Sequence, residues 1–313
     1  MIQKKLNKKK VALAAALLVV IIIVIILIIS GISKAIEKSS IEYKLGEIGY
    51  TTEEIEYIKN NFTKEEQNEL LDKEYDSILI KFYKEKYFRK DKLEDYLEYH
   101  NSNKDLSSGE VITKINTHTN IEPYEKIFDT DISKNELMLV NKYYKLSEDY
   151  KPEVELISSQ YAYSGKYASK TIIESIQNLI DAAKEDNIKL IVAAGYRSYE
   201  DQEDIYEGYK INNGIREADE VVSRPGHSDY QTGLAVDIEP YAKYIENVSE
   251  SEEYQWLQNN MYNFGFIQRF PEGKEDITGF KYSAWHLRYV GIDAALYIHD
   301  NNITFEEYYG YKF

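Results

Sequence analysis

The chain of 313 residues contains no cysteine, so disulfides and thiolate zinc sites are both excluded. An exported protein that avoids redox chemistry fits this absence, as does a biased genome. Positive charge is also scarce. There are 38 Lys and Arg against 54 Asp and Glu, a formal net charge of −16. Phosphate binding needs a basic face, so nucleic acid is not an expected partner. Charge is missing altogether from Val11 to Ile29, "VALAAALLVVIIIVIILII". As a helix this run rises ~28 Å, close to the ~30 Å hydrocarbon core of a bilayer. Lys4, Lys5, Lys8, Lys9 and Lys10 precede it. The positive-inside rule then keeps this end in the cytoplasm and exports the rest. A cleaved signal peptide has a shorter apolar core and a small-x-small site, for which Ser30 to Ala35, "SGISKA", is a poor match. The expectation is an uncleaved, single-pass anchor in the cytoplasmic membrane. A buried core helix is disfavoured because no polar face interrupts the run.

What remains is ordinary for a globular protein, with 43% hydrophobic residues. The 30 Tyr are explained by AT-rich coding as readily as by function. The expected organisation is a basic tail over residues 1–10, an anchor over 11–30, a helical stalk or accessory region over 31–120, and a domain of mixed helix and strand over 121–313. In the stalk, Thr51 to Glu54 ("TTEE") and Thr63 to Glu66 ("TKEE") carry the capping-box pattern. Tyr57, Ile58, Phe62, Leu70 and Leu71 then form an apolar stripe, which Tyr83, Tyr87, Phe88, Leu93 and Leu97 extend. His100 to Glu110 is polar and turn-rich and reads as a linker. Beyond it, helices are expected over 170–187, 198–210, 251–265 and from Thr304, where Thr304 to Glu307 ("TFEE") carries the capping-box pattern again. Strands are expected over 188–196, 233–238, 266–270 and 285–290. This order predicts an α+β fold, a small antiparallel sheet flanked by helices.

Three islands carry chemistry: "GYRSYEDQ" (Gly195 to Gln202), "SDYQTGLAVDI" (Ser228 to Ile238) and "YSAWHLRYVG" (Tyr282 to Gly291). With "LVNKYYKL" (Leu139 to Leu146) and Gly265 to Phe280 between them, the second half resembles the VanY-type D-alanyl-D-alanine carboxypeptidases, zinc metallopeptidases of the LAS group. The family pattern S-x-H-x-x-G-x-A-x-D supplies a His and an Asp to one zinc, and a distant W-H supplies the last His. Three protein ligands leave an open position for water, whose pKa the metal lowers. A Glu three residues before the last His is the general base. An Arg of the first island meets the substrate's charged oxygens.

Carried over residue by residue, Ser228, Gly233, Ala235 and Asp237 match the first pattern and His286 matches the last ligand. Arg197, with Ser198, Gln202 and Ser228, matches the substrate-contacting set. Two positions depart. Tyr230 stands where the first ligand His belongs, and Ser283 stands where the base Glu of the usual Y-E-P-W-H belongs. A phenol with an unperturbed pKa near ~10 is a poorer zinc ligand than imidazole at neutral pH. His227, an odd number of residues from Tyr230, is expected to face away along an extended segment. Glu239 shares a strand face with Asp237 and is weighed as a substitute acid. Asp237 and His286 are expected to bond each other if no metal lies between them. Trp285 and Tyr289 read as core, and Glu217 to Glu220 as a solvated face.

The resemblance implies a domain directed at peptidoglycan stem peptides outside the cytoplasm. The two departures imply that zinc is absent or weakly bound, and that the chain is a pseudoenzyme that binds stem peptides or holds a cell-wall enzyme partner. An active zinc D,D-carboxypeptidase trimming terminal D-Ala and a purely structural module are the alternatives.

Overall fold

The computed structural model describes the backbone of residues 8–241 and 248–313, with side chains from Ala16 onwards except over 242–248. It forms two compact units, one through Lys86 and one from Tyr87 to Phe313. In the first, the helix Lys8–Ser39 contains, within Ala16–Ser39, an 18-residue apolar window of mean hydropathy 3.3. None of its hydrophobic window is buried, and its length and composition suffice to cross a membrane. Short helices follow over Ile41–Ile48, Thr52–Asn61, Lys64–Leu71 and Ser77–Lys84. Both expected capping boxes start a helix: Glu54 accepts from the Thr51 amide at 2.8 Å, and Glu66 from the Thr63 amide at 2.6 Å. Leu45, Ile58, Phe62, Leu70 and Phe82 turn inward and supply the apolar burial that short helices need to persist.

The second unit opens with helices Leu93–Ser102 and Ser108–Thr117. The expected linker is thus mostly helical. Ser107 and Glu110 form another capping box, and the true connection is confined to residues 103–107. Helix Ser108–Thr117 packs backbone to backbone on the last helix, Phe305–Lys312. A Cβ at Gly310 would stand 2.2 Å from the Asn116 carbonyl oxygen, so only glycine allows this approach.

His118 ends this helix in the left-handed region (φ 62°). Its ring stacks on Phe128 at 4.7 Å, and Nε2 lies 3.0 Å from the Tyr144 hydroxyl. Burial, with lesser repulsion from Lys92 and Lys126, pushes its imidazole down from 6.5 to about 4. The unfolded chain therefore takes up this proton before the folded chain does. The neutral ring's contribution is complete above pH 6.5 and is lost as the pH falls towards about 4. We expect the melting temperature of the wild type to fall more steeply across that window than that of His118→Phe, which keeps the stack without the proton. Parallel pH curves for the two proteins would refute this assignment.

Short strands β1 (Phe128–Asp129) and β2 (Tyr144–Lys145) pair in parallel, and β3 (Val154–Leu156) pairs antiparallel with β4 (Tyr167–Ser169). The central sheet contains β5 (Leu190–Ala194), β6 (Ala235–Pro240), β7 (Phe266–Phe270) and β8 (Ser283–Tyr289), in the order β5-β6-β8-β7, antiparallel throughout. Helix Ile173–Glu185 lays Ile176, Leu179, Ile180 and Ala183 on Val192, Val236 and Leu287 of the sheet. The expected α+β class and the expected sheet are both present. The last helix starts at the Thr304–Glu307 capping box.

Candidate functional site

The antiparallel register of β6 and β8 sets Asp237 directly opposite His286. The third member comes from the turn before β6. The Ser228 hydroxyl accepts from the Tyr230 amide at 3.3 Å and starts a single 3-10 turn, Asp229–Thr232. Gly233 closes it at φ 71°, where an added Cβ would meet the Ser169 amide nitrogen at 3.0 Å. The turn brings the Tyr230 side chain to the paired side chains of Asp237 and His286. Its hydroxyl donates to Asp237 Oδ1 at 2.6 Å. His286 Nδ1 lies 2.8 Å from that hydroxyl and 3.0 Å from Asp237 Oδ1. The phenol has one proton, so Nδ1–H is the tautomer that places a proton in the remaining contacts. Phe270 stacks on the His286 ring at 5.1 Å, and Tyr230 meets it edge to face at 4.6 Å.

The electrostatics follow from this closed arrangement. Burial, and then the Asp237 charge, pushes the Tyr230 phenol well above its usual range, against an opposing pull from Arg197. Burial also raises the Asp237 carboxyl. The hydrogen bond with His286, the Tyr230 hydroxyl and Arg197 outweigh it and hold that carboxyl below the ordinary range.

Arg197 arrives on the loop after β5. Gly195 lets that loop pass close to β4, since a Cβ there would stand 2.3 Å from the Tyr167 carbonyl oxygen. The Arg197 amide donates to the Tyr230 carbonyl at 3.3 Å, and the guanidinium carbon lies 3.9 Å from the centre of the Tyr230 ring. Ser198 accepts from the Asp201 amide and starts helix Tyr199–Asn213. Gln202, on the first turn of that helix, donates through Nε2 to the Ser223 carbonyl at 2.8 Å, and its Oε1 has no partner among the described residues.

A cavity of about 410 Å³ runs along these groups, with Arg197, Gln202, Ser228, Tyr230, Ser283 and His286 in its wall. Ser198 caps its helix and is not part of the wall. His227 turns away: Nδ1 lies 2.7 Å from the Asn141 carbonyl oxygen, and the ring is edge-on to Tyr124. Glu239 is exposed and pairs with Ile191, outside the cavity wall. Trp285, expected in the core, is 41% exposed and lines the cavity, because the irregular pairing at Gln268/Phe270 breaks strict alternation near the start of β8. Tyr289 does pack on the core. The acidic run is not a uniformly solvated face. Asp219 binds Arg224 through both oxygens, at 2.9 and 2.8 Å, and accepts from the Tyr206 hydroxyl at 2.8 Å.

Sequence reasoning missed the support beneath Tyr230. Asp229 is buried and accepts from Arg269 Nε at 2.7 Å and from Arg288. Arg269 also reaches Glu306 at 2.6 and 2.9 Å, and Asn141 donates to Glu306 at 3.2 Å. The available signal was an arginine inside each of two apolar strand patterns, "FIQRF" and "WHLRYV". A charge within such a strand is buried only if paired.

As a metal centre the site offers two family-type donors, Asp237 and His286. The third group is a phenol whose proton is committed to Asp237. Among the described residues no group of three His, Cys, Asp or Glu side chains stands ready for a metal. This donor set does not fit the three-ligand pattern of a catalytic zinc.

The family model for VanY, D-alanyl-D-alanine carboxypeptidase, matches residues 165–292. The putative carboxypeptidase YodJ of Bacillus subtilis is 40% identical over 184 residues, which span 56% of this chain and 67% of that protein. The solved structure of the LD-carboxypeptidase LdcB, described in terms of peptidoglycan recognition, is 38% identical with a TM-score of 0.55, covering 58% of this chain and 89% of that one. A VanY D,D-pentapeptidase mutant solved in complex with Zn(II) is 37% identical with a TM-score of 0.49, covering 55% of this chain and 98% of that one. The ordered islands, the sheet that aligns Asp237 with His286, the family model and the similarity to YodJ and LdcB agree: the chain belongs to the VanY-type D-alanyl-D-alanine carboxypeptidase family of the LAS group.

Proposed function

We propose that this chain is a membrane-anchored, extracytoplasmic member of the family that recognises peptidoglycan stem peptides and hydrolyses them poorly or not at all. One observation carries the reading: the Tyr230 hydroxyl bridges Asp237 and His286, which also bond each other at 3.0 Å, so neither remaining ligand-type side chain stands open. Ser283, at the position of the base, is a hydroxyl that cannot take a proton as a carboxylate does. Losing a general base costs ~10²–10⁴ in rate, and losing zinc removes both the activated water and the Lewis acid.

The recognition groups fare better. Arg197 has no ion pair or side-chain hydrogen bond among the described residues, so its charge is free for a peptide carboxylate. The Ser228 hydroxyl accepts from the Tyr230 amide and retains its own proton to donate. Gln202 gives one of its two amide hydrogens to Ser223, and its Oε1 has no partner among the described residues and can accept from a ligand N–H. The apolar helix Ala16–Ser39 and the lysines before it support the anchor and its orientation. A bound cell-wall enzyme is a compatible partner for such a module.

Calorimetry of the detergent-solubilised full chain with a D-Ala-terminated pentapeptide tests this. Binding is expected, Arg197→Ala should weaken it about tenfold or more, as for a lost charge-assisted hydrogen bond, and D-Ala release should be negligible. Chelator-sensitive turnover with near-stoichiometric zinc would overturn the impaired reading. Failure of the wild type to bind would overturn recognition.

A further inference from the structure

We propose that Tyr230 is a positioning residue for ligand recognition: the face of its ring holds the Arg197 guanidinium at the cavity wall, a task separate from the hydroxyl bridge between Asp237 and His286. The proposal rests on the reading of the cavity as a peptide-end site. The guanidinium carbon lies 3.9 Å from the ring centre, well inside the ~6 Å reach of a cation–π contact. Apart from the backbone link at 3.3 Å, no hydrogen bond or ion pair among the described residues fixes Arg197. The platform itself is held in place from two sides: two hydrogen-bond partners engage the hydroxyl and His286 meets the ring edge to face.

Two further points favour this ring for this task. A phenol that donates at 2.6 Å to a carboxylate pushes electron density into its ring and deepens the negative face that the cation meets. A guanidinium carbon 3.9 Å over a ring is close enough to stack through its face, which leaves the N–H edges for a carboxylate, to which they can bind as a fork. An imidazole bound to a metal would do the opposite, since the metal withdraws density from the ring. The substitution at position 230 therefore changes how the anion-binding group is held, as well as the donor set.

The test uses the full chain with selectively labelled arginine. The Arg197 signals are assigned by Arg197→Lys and compared in the wild type, Tyr230→Phe and Tyr230→Leu, with affinity for a D-Ala-terminated pentapeptide measured alongside. The wild type and Tyr230→Phe should both show the Arg197 Hδ and Hε protons shifted upfield by the ring. Their affinities should agree within about threefold, while Tyr230→Leu should lose the shift and bind about 3- to 30-fold more weakly. A wild type without the ring-current shift overturns the proposal by itself, even if the Leu variant fails to fold. A folded Leu variant with unchanged affinity, or a Phe variant as impaired as Leu, overturns it too. A wild type that shows the shift but binds no peptide overturns the peptide-end reading and leaves the platform standing.

Discussion

Replacing Tyr230 by His and Ser283 by Glu together is expected to bring zinc content close to one per chain and to restore chelator-sensitive release of terminal D-Ala. The register of β6 against β8 already sets Asp237 opposite His286, and the turn Asp229–Thr232 already brings residue 230 to them. An imidazole there removes the phenol that closes the pair and completes a three-ligand set. A carboxylate at position 283, in the cavity wall, adds the missing base. Tyr230→His alone should regain metal and remain slow, by about the 10²–10⁴ that a general base contributes. Ser283→Glu alone should regain neither. The two substitutions act as one unit, so their effects should be strongly non-additive. The restored enzyme should also bind peptide less tightly than a simple reversion would suggest, because Arg197 loses its aromatic platform. Zinc-to-protein ratios and D-Ala release decide the matter. A folded double variant without zinc would show that the pocket has changed beyond these two positions.

Asp229→Ala is expected to destabilise the second unit by about 3–5 kcal/mol, the cost of breaking a buried ion pair from one side. Asp229, Arg269, Arg288 and Glu306 are all buried, and their formal charges cancel. Burial raises the Asp229 carboxyl, and the two arginines overcome this and hold it below the ordinary range. Removing it leaves Arg288 with the carbonyl oxygens of Glu136, Met138 and Tyr289, at 3.0, 2.8 and 3.0 Å, and without its ion-pair partner. At 2–4 °C per kcal/mol for a unit of this size, the melting temperature should fall by roughly 6–20 °C. Exchanging the charged members together for apolar residues of similar volume should cost less than removing Asp229 alone. A calorimetric shift below about 3 °C for Asp229→Ala would contradict the assignment. Asp229 lies between Ser228 and Tyr230 in the chain, so this network also ties the site-bearing turn to the last helix through Glu306.

The fold was legible wherever a pattern is local. Helix Ile173–Glu185 follows from apolar residues at helical spacing, and β7 occupies the span Phe266–Phe270 that its composition suggested. The expected capping boxes at Thr51, Thr63 and Thr304 each start a helix, because both partners lie within one turn. The same rule was present but unread at Ser107–Glu110, where polar composition suggested a linker instead. Trp285 went astray for a related reason: alternation predicts a face only where the strand pairing is regular.

By itself the sequence determined the apolar N-terminal run, the class of the fold, the family, and the identity of the two altered positions, because each depends on residue type and short-range order. Only the tertiary structure decided where the Tyr230 hydroxyl goes, which ring Arg197 rests on, and which charges hold Arg269 and Arg288. These contacts join residues that are tens of positions apart in the chain. Sheet register and the closure of the core bring them within hydrogen-bonding distance, and neither is encoded in any single segment.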